Sequence, residues 1–141
     1  MRRSNLPKFY YMYMQANDRW NLYVNNQLLG WWPASLFKNL RSAANRVDFG
    51  GEVCFAPGGS PGSQFTKTDM GSGHFPSEGF GRSALISDIQ ITDNNGQLID
   101  FPGSATAGRP NCYDVSIEVD NQNGKHLYFG GPGGDNPGCV V

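Results

Sequence analysis

Apolar and polar residues alternate with a period of two through much of this chain, and turn residues interrupt the pattern at short intervals. The clearest example is residues 113–119, where Tyr113, Val115, Ile117 and Val119 are separated by polar residues. A period of two places one set of side chains against a core and the other in water. The pattern therefore predicts a strand with one buried and one solvated face.

Seven further segments carry the β-branched, aromatic and alternating residues that are typical of strands. They are residues 9–14, 19–24, 27–31, 65–70, 85–91, 98–101 and 125–129. Turn signals separate several of them: Asn25-Asn26, Asn94-Asn95-Gly96 and Asn123-Gly124. Many short strands joined by turns predict an all-β fold, an antiparallel β-sandwich. Residues 1–8 form a polar, basic tail, and residues 9–141 form one domain.

One helix is predicted to interrupt the strands. Pro33 suits the first helical position, where its missing N–H costs no hydrogen bond. Leu36, Phe37 and Leu40 follow it as a narrow apolar stripe. A helix of about ten residues is too short to be stable alone, so it must pack on a sheet.

Residues 47–55 are predicted to form a further strand, with Val47, Phe49, Val53 and Phe55 on its buried face. The other face would carry Glu52 beside Gly50. Two glycines weaken a strand, and they also let another backbone approach closely. Two interpretations of Glu52 stay open: a solvated residue at a β-bulge, or a catalytic carboxylate on the floor of a groove.

Composition and charge narrow the possible functions. The net charge is −1, 16% of residues are charged, and no basic block occurs, so a nucleic-acid partner is not predicted. No apolar run reaches the ~20 residues of a membrane helix, and no apolar segment of a signal peptide follows Met1. Nineteen Gly and nine Pro, combined with 13% aromatic residues, suit a turn-rich β protein.

Metal, thiol and serine chemistry are not predicted. The three cysteines, Cys54, Cys112 and Cys139, form no metal-binding spacing with each other or with the two histidines. One disulfide and one free thiol is the simplest arrangement of three cysteines. Ser72 lies near His74, but no nucleophile elbow surrounds it. We therefore predict no metal and no cofactor.

Aromatic residues supply a competing, non-enzymatic hypothesis. A stacking platform for a glycan or a peptide could form on one face of the sandwich. Its candidate members are Trp20, Trp31, Trp32, Tyr10, Tyr11, Tyr13 and Tyr23. Aromatic residues at strand spacing also form ordinary cores. This alternative therefore requires that the aromatic side chains are exposed, which the sequence does not show.

Five motifs, in this order, resemble the C-terminal portion of the neprosin catalytic domain, a plant family of glutamic peptidases. They are Trp32-Pro33-Ala34-Ser35-Leu36-Phe37, Gly50-Gly51-Glu52-Val53, Met70-Gly71-Ser72-Gly73-His74-Phe75-Pro76 with Glu78-Gly79-Phe80-Gly81, Pro110-Asn111-Cys112-Tyr113-Asp114, and Tyr128-Phe129-Gly130-Gly131-Pro132-Gly133. The resemblance runs from about residue 9 to residue 139, nearly the whole chain.

The resemblance implies a β-sandwich with a substrate groove and endopeptidase cleavage of proline-containing peptides at acid pH. Glu52 takes the position of one of the two catalytic glutamates. Gly50, Gly51, Trp31, Trp32, Ser72 and His74 are the candidate substrate-binding residues. A disulfide between Cys112 and Cys139 and a secreted location are also implied. The predicted partner is a peptide or protein substrate, and neither a nucleic-acid nor a membrane partner is predicted.

The chain departs from the family pattern before Trp32. The first catalytic glutamate of the family precedes the Trp-Pro motif, whereas Glu52 is the first glutamate in this sequence. We therefore expect a fragment, incomplete at the N-terminal side of the sandwich and inactive alone. The alternative is a non-catalytic β-sandwich module that binds peptide or glycan through an aromatic groove.

Overall fold

The computed structural model describes residues 9–54, 67–93, 95–135 and 138–139, and for residues 9–13, 15 and 135 it describes the backbone only. Contacts divide the chain into two compact units, the first ending at Asp48 and the second beginning at Phe49. The predicted tail at residues 1–8 and the strand start at residues 65–66 lie outside this description.

Antiparallel strands make up the regular structure of both units in the described part of the chain. The first unit contains β1 (Phe9–Met14), β2 (Arg19–Val24) and β3 (Gln27–Pro33), and the second contains β4 (Ala84–Ile86), β5 (Gln90–Thr92), β6 (Leu98–Asp100), β7 (Asp114–Asp120) and β8 (Gly124–Gly130). The described helical segments are short 3-10 turns at Gln15–Asn17, Ala34–Leu36, Pro76–Glu78 and Gly133–Asp135. The predicted all-β, antiparallel fold class is confirmed.

The first unit is a three-stranded meander in the order β1-β2-β3. Asn25 and Asn26 join β2 to β3 with φ angles of 50° and 65°. Two consecutive positive φ angles give the turn a twist that matches the flanking strands, and asparagine tolerates this conformation. The pairing shifts between Leu22 and Tyr23, which face Gly30 and Leu28. Leu29 is therefore the extra residue of a bulge, and it is 69% exposed.

The predicted helix after Pro33 is wrong in length. The structure has a single 3-10 turn at Ala34–Leu36, and Phe37 already returns to extended backbone with φ −104° and ψ 128°. The apolar stripe is not buried on a sheet, since Leu36 is 67% exposed. Trp20 Nε1–H instead donates a hydrogen bond to the Leu40 carbonyl. Without a packed apolar face, a sequence this short does not sustain an α-helix.

The second unit contains a three-stranded sheet in the order β4-β8-β7 and a separate two-stranded sheet of β5 and β6. β7 and β8 form a hairpin in which Asp114 faces Gly130 and Asp120 faces Gly124. Asp120 Oδ1 accepts the Gln122 and Asn123 N–H groups at 2.7 and 2.6 Å. Hydrogen bonds from Asn123 are the main reason that the pKa of Asp120 lies below its ordinary value.

Residues 85–91 form two strands rather than the one predicted. β4 pairs with β8, whereas β5 pairs with β6. Asp88 lies between them with a φ of 52°, a left-handed conformation that interrupts an extended strand. Its N–H donates to the Asn123 carbonyl at 2.8 Å, so the turn of the β7–β8 hairpin holds the break in place.

The described core of the second unit lies mainly around β8. Leu127, Tyr128 and Ile89 are at most 7% exposed, and His126 is fully buried. The buried face predicted for residues 113–119 ends before Val119, which is 72% exposed. The hairpin extends into solvent at this end, so alternation alone overestimates the buried length.

Candidate active site

Glu52 does not lie on a strand, so the predicted strand at residues 47–55 is wrong within its described part, and Phe55 lies outside the description. Gly50 has a φ of +148°, which side-chain-bearing residues rarely adopt and which interrupts a regular ladder. The predicted alternation survives in part. Phe49 and Val53 are half-buried while Glu52 is exposed, but Val47, predicted on the buried face, is 40% exposed. The Phe49 ring packs edge-on against Phe101 at 5.1 Å.

Glu52 borders an open cavity of about 440 Å³ that lies entirely within the second unit. A cavity of this size is typical of a site for a small molecule or a peptide side chain. The residues on which its shape and chemistry depend are Gly51, Glu52, Met70, Arg109, Tyr113 and Phe129. They are distant in sequence and reach the cavity from different loops and from β8.

Gly51 holds the Glu52 segment close to the cavity wall. A Cβ at this position would lie 2.7 Å from Met70 Cγ, 2.8 Å from Met70 Sδ and 2.8 Å from Phe129 Cδ2. The Met70 backbone is held by its N–H, which donates to the Gly131 carbonyl at 3.0 Å. The close neighbours of Gly51 are therefore side chains of the same unit, and the approach of another backbone stays a prediction.

Gly51→Ala is expected to push the Glu52 segment away from Met70 and Phe129. Overpacking of this kind costs about 1–3 kcal/mol of unfolding free energy, which urea unfolding measures. Gly108→Ala is the matched control, since Gly108 borders the same cavity but nothing lies within 4 Å of its added Cβ. Equal stability of the two variants would contradict the close packing at Gly51.

Tyr113 and Arg109 form a second wall. The Tyr113 hydroxyl donates to the Thr68 carbonyl at 2.8 Å. Burial, followed by the negative charge of Asp69, raises the pKa of Tyr113, so the phenol stays protonated. The Arg109 carbonyl accepts the N–H groups of Cys112 and Tyr113 at 2.9 and 2.8 Å. Arg109 and Tyr113 thus enclose a tight turn beside the cavity.

A disulfide joins Cys112 to Cys139 across 27 residues. Both cysteines are buried, at 3% and 7% exposure. The predicted pairing is confirmed, and Cys54 is an exposed free thiol. Since Cys112 lies inside the turn that Arg109 begins, the disulfide anchors the wall that carries Arg109 and Tyr113.

The comparison with protein families identifies the family of this chain. The Neprosin family model matches residues 7–132, which include every residue of the cavity. The chain belongs to the Neprosin family. The resemblance seen in the five motifs is confirmed, and the match places the chain in a peptidase-related family.

Met70 is the residue of the neprosin-family motif at residues 70–81 that borders the cavity. The rest of this motif forms a hydrogen-bonded loop outside the described cavity wall. His74 Nδ1 and Glu78 Oε2 lie 2.9 Å apart, and Arg82 Nε lies 3.1 Å from the same oxygen. The Phe75 N–H donates to Glu78 Oε1 at 3.2 Å. Ser72 is exposed and His74 is half-buried, so the structure brings neither predicted binding residue to the described cavity wall.

Burial would raise the pKa of Glu78, but hydrogen bonds from His74 and Phe75 and the charges of His74 and Arg82 lower it below its ordinary value. A carboxylate with a lowered folded-state pKa stabilises the fold above its unfolded-state pKa. That stabilisation is lost as the pH falls through the folded-state value.

We therefore expect Glu78→Gln to be less stable than the parent chain at pH 7, with a difference that shrinks below about pH 4.3, the ordinary glutamate value. Urea unfolding at several pH values between 3 and 7 measures this difference. His74→Gln removes one partner of Glu78 and should reproduce part of the effect at pH 7. A difference that stays constant with pH would contradict an ionised Glu78 as its source.

Trp31 and Trp32 lie in the first unit, on β3, and are 52% and 40% exposed. Trp20 pairs with Trp32, whereas Asn21 pairs with Trp31, so the two adjacent tryptophans point to opposite faces. Arg19 lies over the Trp31 ring at 5.3 Å. Trp31 and Trp32 therefore do not share one stacking platform, whereas Trp20 lies on the same face as Trp32. The side chains of Tyr10, Tyr11 and Tyr13 lie outside the description.

Two further properties concern the described residues alone. No group of three or more His, Cys, Asp or Glu side chains there is arranged to hold a metal ion. None of the helical segments described is long and apolar enough to cross a membrane.

Several cavity residues were not selected from the sequence as site residues: Met70, Arg109, Tyr113 and Phe129. A usable signal existed, since Met70, Tyr113 and Phe129 belong to motifs of the neprosin resemblance and Arg109 immediately precedes one of them. The sequence did not show that these residues border the same cavity as Glu52, because they follow Glu52 by 18 to 77 residues.

Proposed function

We propose that this chain is the C-terminal part of a glutamic endopeptidase domain that cleaves proline-containing peptides, with Glu52 as a catalytic carboxylate. The observation that carries the proposal is the position of Glu52. Its side chain belongs to an exposed residue on the wall of a 440 Å³ cavity, and the glycine before it has no room for a side chain. A peptide can thus approach the carboxylate from solvent.

In the proposed reaction, ionised Glu52 takes a proton from water while the water oxygen forms a bond to the substrate carbonyl carbon. The carbonyl π electrons move to oxygen and give a tetrahedral oxyanion. When the oxyanion collapses, the C–N bond breaks and the leaving amine receives a proton. One carboxylate that accepts a proton and a second that donates one are the usual means of balancing these steps.

The second carboxylate is the remaining requirement. Glu52 is the first glutamate of the sequence. Asp114 borders the same cavity, but its Oδ1 already accepts the Val115 N–H at 2.8 Å. We therefore favour a family-type glutamate, supplied by a segment that precedes the Trp-Pro motif, as the partner of Glu52.

Turnover of a defined peptide tests this proposal. The chain is incubated with a proline-containing peptide at pH 3–5, the range of carboxyl pKa values, alone and together with a neprosin-family segment that bears the first glutamate. Mass spectrometry identifies the fragments. Cleavage only in the presence of the segment supports the proposal, and no cleavage in either sample contradicts it.

A binding module is the second candidate function, favoured by the exposure of Trp31 and Trp32 on β3. It predicts saturable binding of a proline-rich peptide or a cell-wall glycan without turnover. Either Trp31→Ala or Trp32→Ala should weaken that binding, measured by calorimetry. Because the two side chains lie on opposite faces, only one of the variants is expected to have a large effect for any single ligand.

A further inference from the structure

We propose that Arg109 stabilises the oxyanion that forms when water attacks the substrate carbonyl, and that it acts as the electrophilic residue opposite Glu52. This inference rests on the proposed peptidase function. The structural basis is that Arg109 and Glu52 border the same cavity, one from the turn before β7 and the other from the segment after Gly51.

The reaction requires a positive partner for the oxyanion. As the water oxygen bonds to carbon, a full negative charge develops on the former carbonyl oxygen. Donors aimed at that oxygen contribute about 10²–10³-fold each to kcat in peptidases. At acid pH an arginine keeps its charge, since guanidinium does not deprotonate in proteins.

The other polar side chains of the described cavity wall are less suited to this role. Thr106 is uncharged, and Arg109 is the single cationic residue of the wall as described. Tyr113 already directs its hydroxyl proton to the Thr68 carbonyl at 2.8 Å. Arginine carries five N–H donors in a planar fork, so a guanidinium that is paired through some of them keeps others for a substrate oxygen.

The backbone under Arg109 is held rigidly while its side chain is exposed. Its carbonyl oxygen accepts both the Cys112 N–H and the Tyr113 N–H. Cys112 is buried and joined to Cys139, and the Cys112 carbonyl accepts the Gly133 N–H at 3.3 Å. A fixed backbone beside the cavity and an exposed side chain place this arginine where a substrate enters from solvent, without rearrangement of the fold.

The test compares two ligands by calorimetry at pH 4. One is a proline-containing phosphinic peptide, whose anionic tetrahedral phosphorus imitates the oxyanion, and the other is the parent peptide with an ordinary amide. The protein is the full chain carrying Glu52→Gln, so neither ligand is consumed. In this background Arg109→Gln should lower the affinity for the phosphinic peptide about 10²-fold and the affinity for the parent peptide less than about 3-fold. Arg109→Lys should lower the affinity for the phosphinic peptide less than Arg109→Gln does.

Arg82→Gln is the matched control, because Arg82 is exposed and pairs with Glu78 rather than bordering the cavity. It should leave both affinities unchanged. Equal weakening of both ligands by Arg109→Gln would overturn the inference, since Arg109 would then serve ground-state binding alone. No effect of Arg109→Gln on either ligand, or no binding of either ligand to the parent chain, would also overturn it.

The outcomes separate the inference from the proposed function. If turnover depends on Glu52 but phosphinic binding does not depend on Arg109, the peptidase proposal stands and the role of Arg109 falls. If phosphinic binding depends on Arg109 while Glu52→Gln leaves turnover intact, the anion site stands and the catalytic role of Glu52 falls.

Discussion

Glu52→Gln is expected to reduce the rate of peptide hydrolysis by about 10²–10⁴-fold, the usual contribution of general acid–base catalysis. The amide has nearly the shape of the carboxylate but does not accept a proton from water. Since Glu52 is exposed and Gln has nearly its size and shape, the fold should be unchanged. The measurement is kcat/KM for a proline-containing peptide at pH 3–5, with the glutamate-bearing segment present.

The matched control is Glu118→Gln. Glu118 lies on β7 with 56% of its side chain exposed, and it does not border the described cavity. Its variant should hydrolyse the peptide at the rate of the parent chain. If Glu52→Gln retained the parent rate, Glu52 would not be catalytic, whatever the position of its side chain.

Removal of the disulfide by the double substitution Cys112→Ser and Cys139→Ser should cause the largest loss of stability. A disulfide that closes a loop of this length stabilises a fold by about 3–4 kcal/mol, chiefly by restricting the unfolded chain. Both sulfur positions are buried, at 3% and 7% exposure, so the two serines also place hydroxyl groups in an apolar site. Thermal unfolding should shift downward by more than about 10 °C.

Cys54→Ser is the control for this prediction, since Cys54 is exposed and forms no disulfide. It should unfold within about 0.5 kcal/mol of the parent chain, as is usual for exposed positions. A double variant as stable as the Cys54 variant would show that the disulfide does not contribute to the stability of the second unit.

Strand existence was largely predictable because local patterns specify it. Alternation and turn residues placed β1, β2, β7 and β8 within about one residue of their observed ends, which is the usual uncertainty of element boundaries. The hairpin turns at Asn25-Asn26 and at Gly124 depend on residues that tolerate positive φ, and both turns are present. Such turns are local, so the sequence is sufficient to predict them.

The errors occurred where distant contacts decide the backbone. Residues 34–40 carry an apolar stripe, but the helix stops after one turn at Phe37 and the Leu40 carbonyl accepts the Trp20 indole N–H instead. Residues 85–91 alternate continuously, but Asp88 is held by the Asn123 carbonyl and divides them into two strands. Neither partner is near in sequence, so local propensity was overruled by tertiary contacts.

For Glu52, too, the sequence predicted the residue and the tertiary structure decided its surroundings. Its selection followed from the sequence, through two preceding glycines and the neprosin motif around them. Its surroundings did not: the segment is irregular rather than a strand, and its neighbours Met70, Arg109 and Phe129 come from three other regions. Only the folded backbone shows that Gly51 is needed because Met70 and Phe129 occupy the space of a side chain.

The sequence alone therefore determined the family and the antiparallel all-β class, because motifs and period-two alternation are local patterns of neighbouring residues. The catalytic candidate and the cysteine pair followed from the resemblance to that family. The tertiary structure decided where strands end, which residues share the cavity with Glu52, and that Trp31 and Trp32 face opposite ways. These properties depend on contacts between segments far apart in the chain. No local pattern records such contacts until the chain has folded.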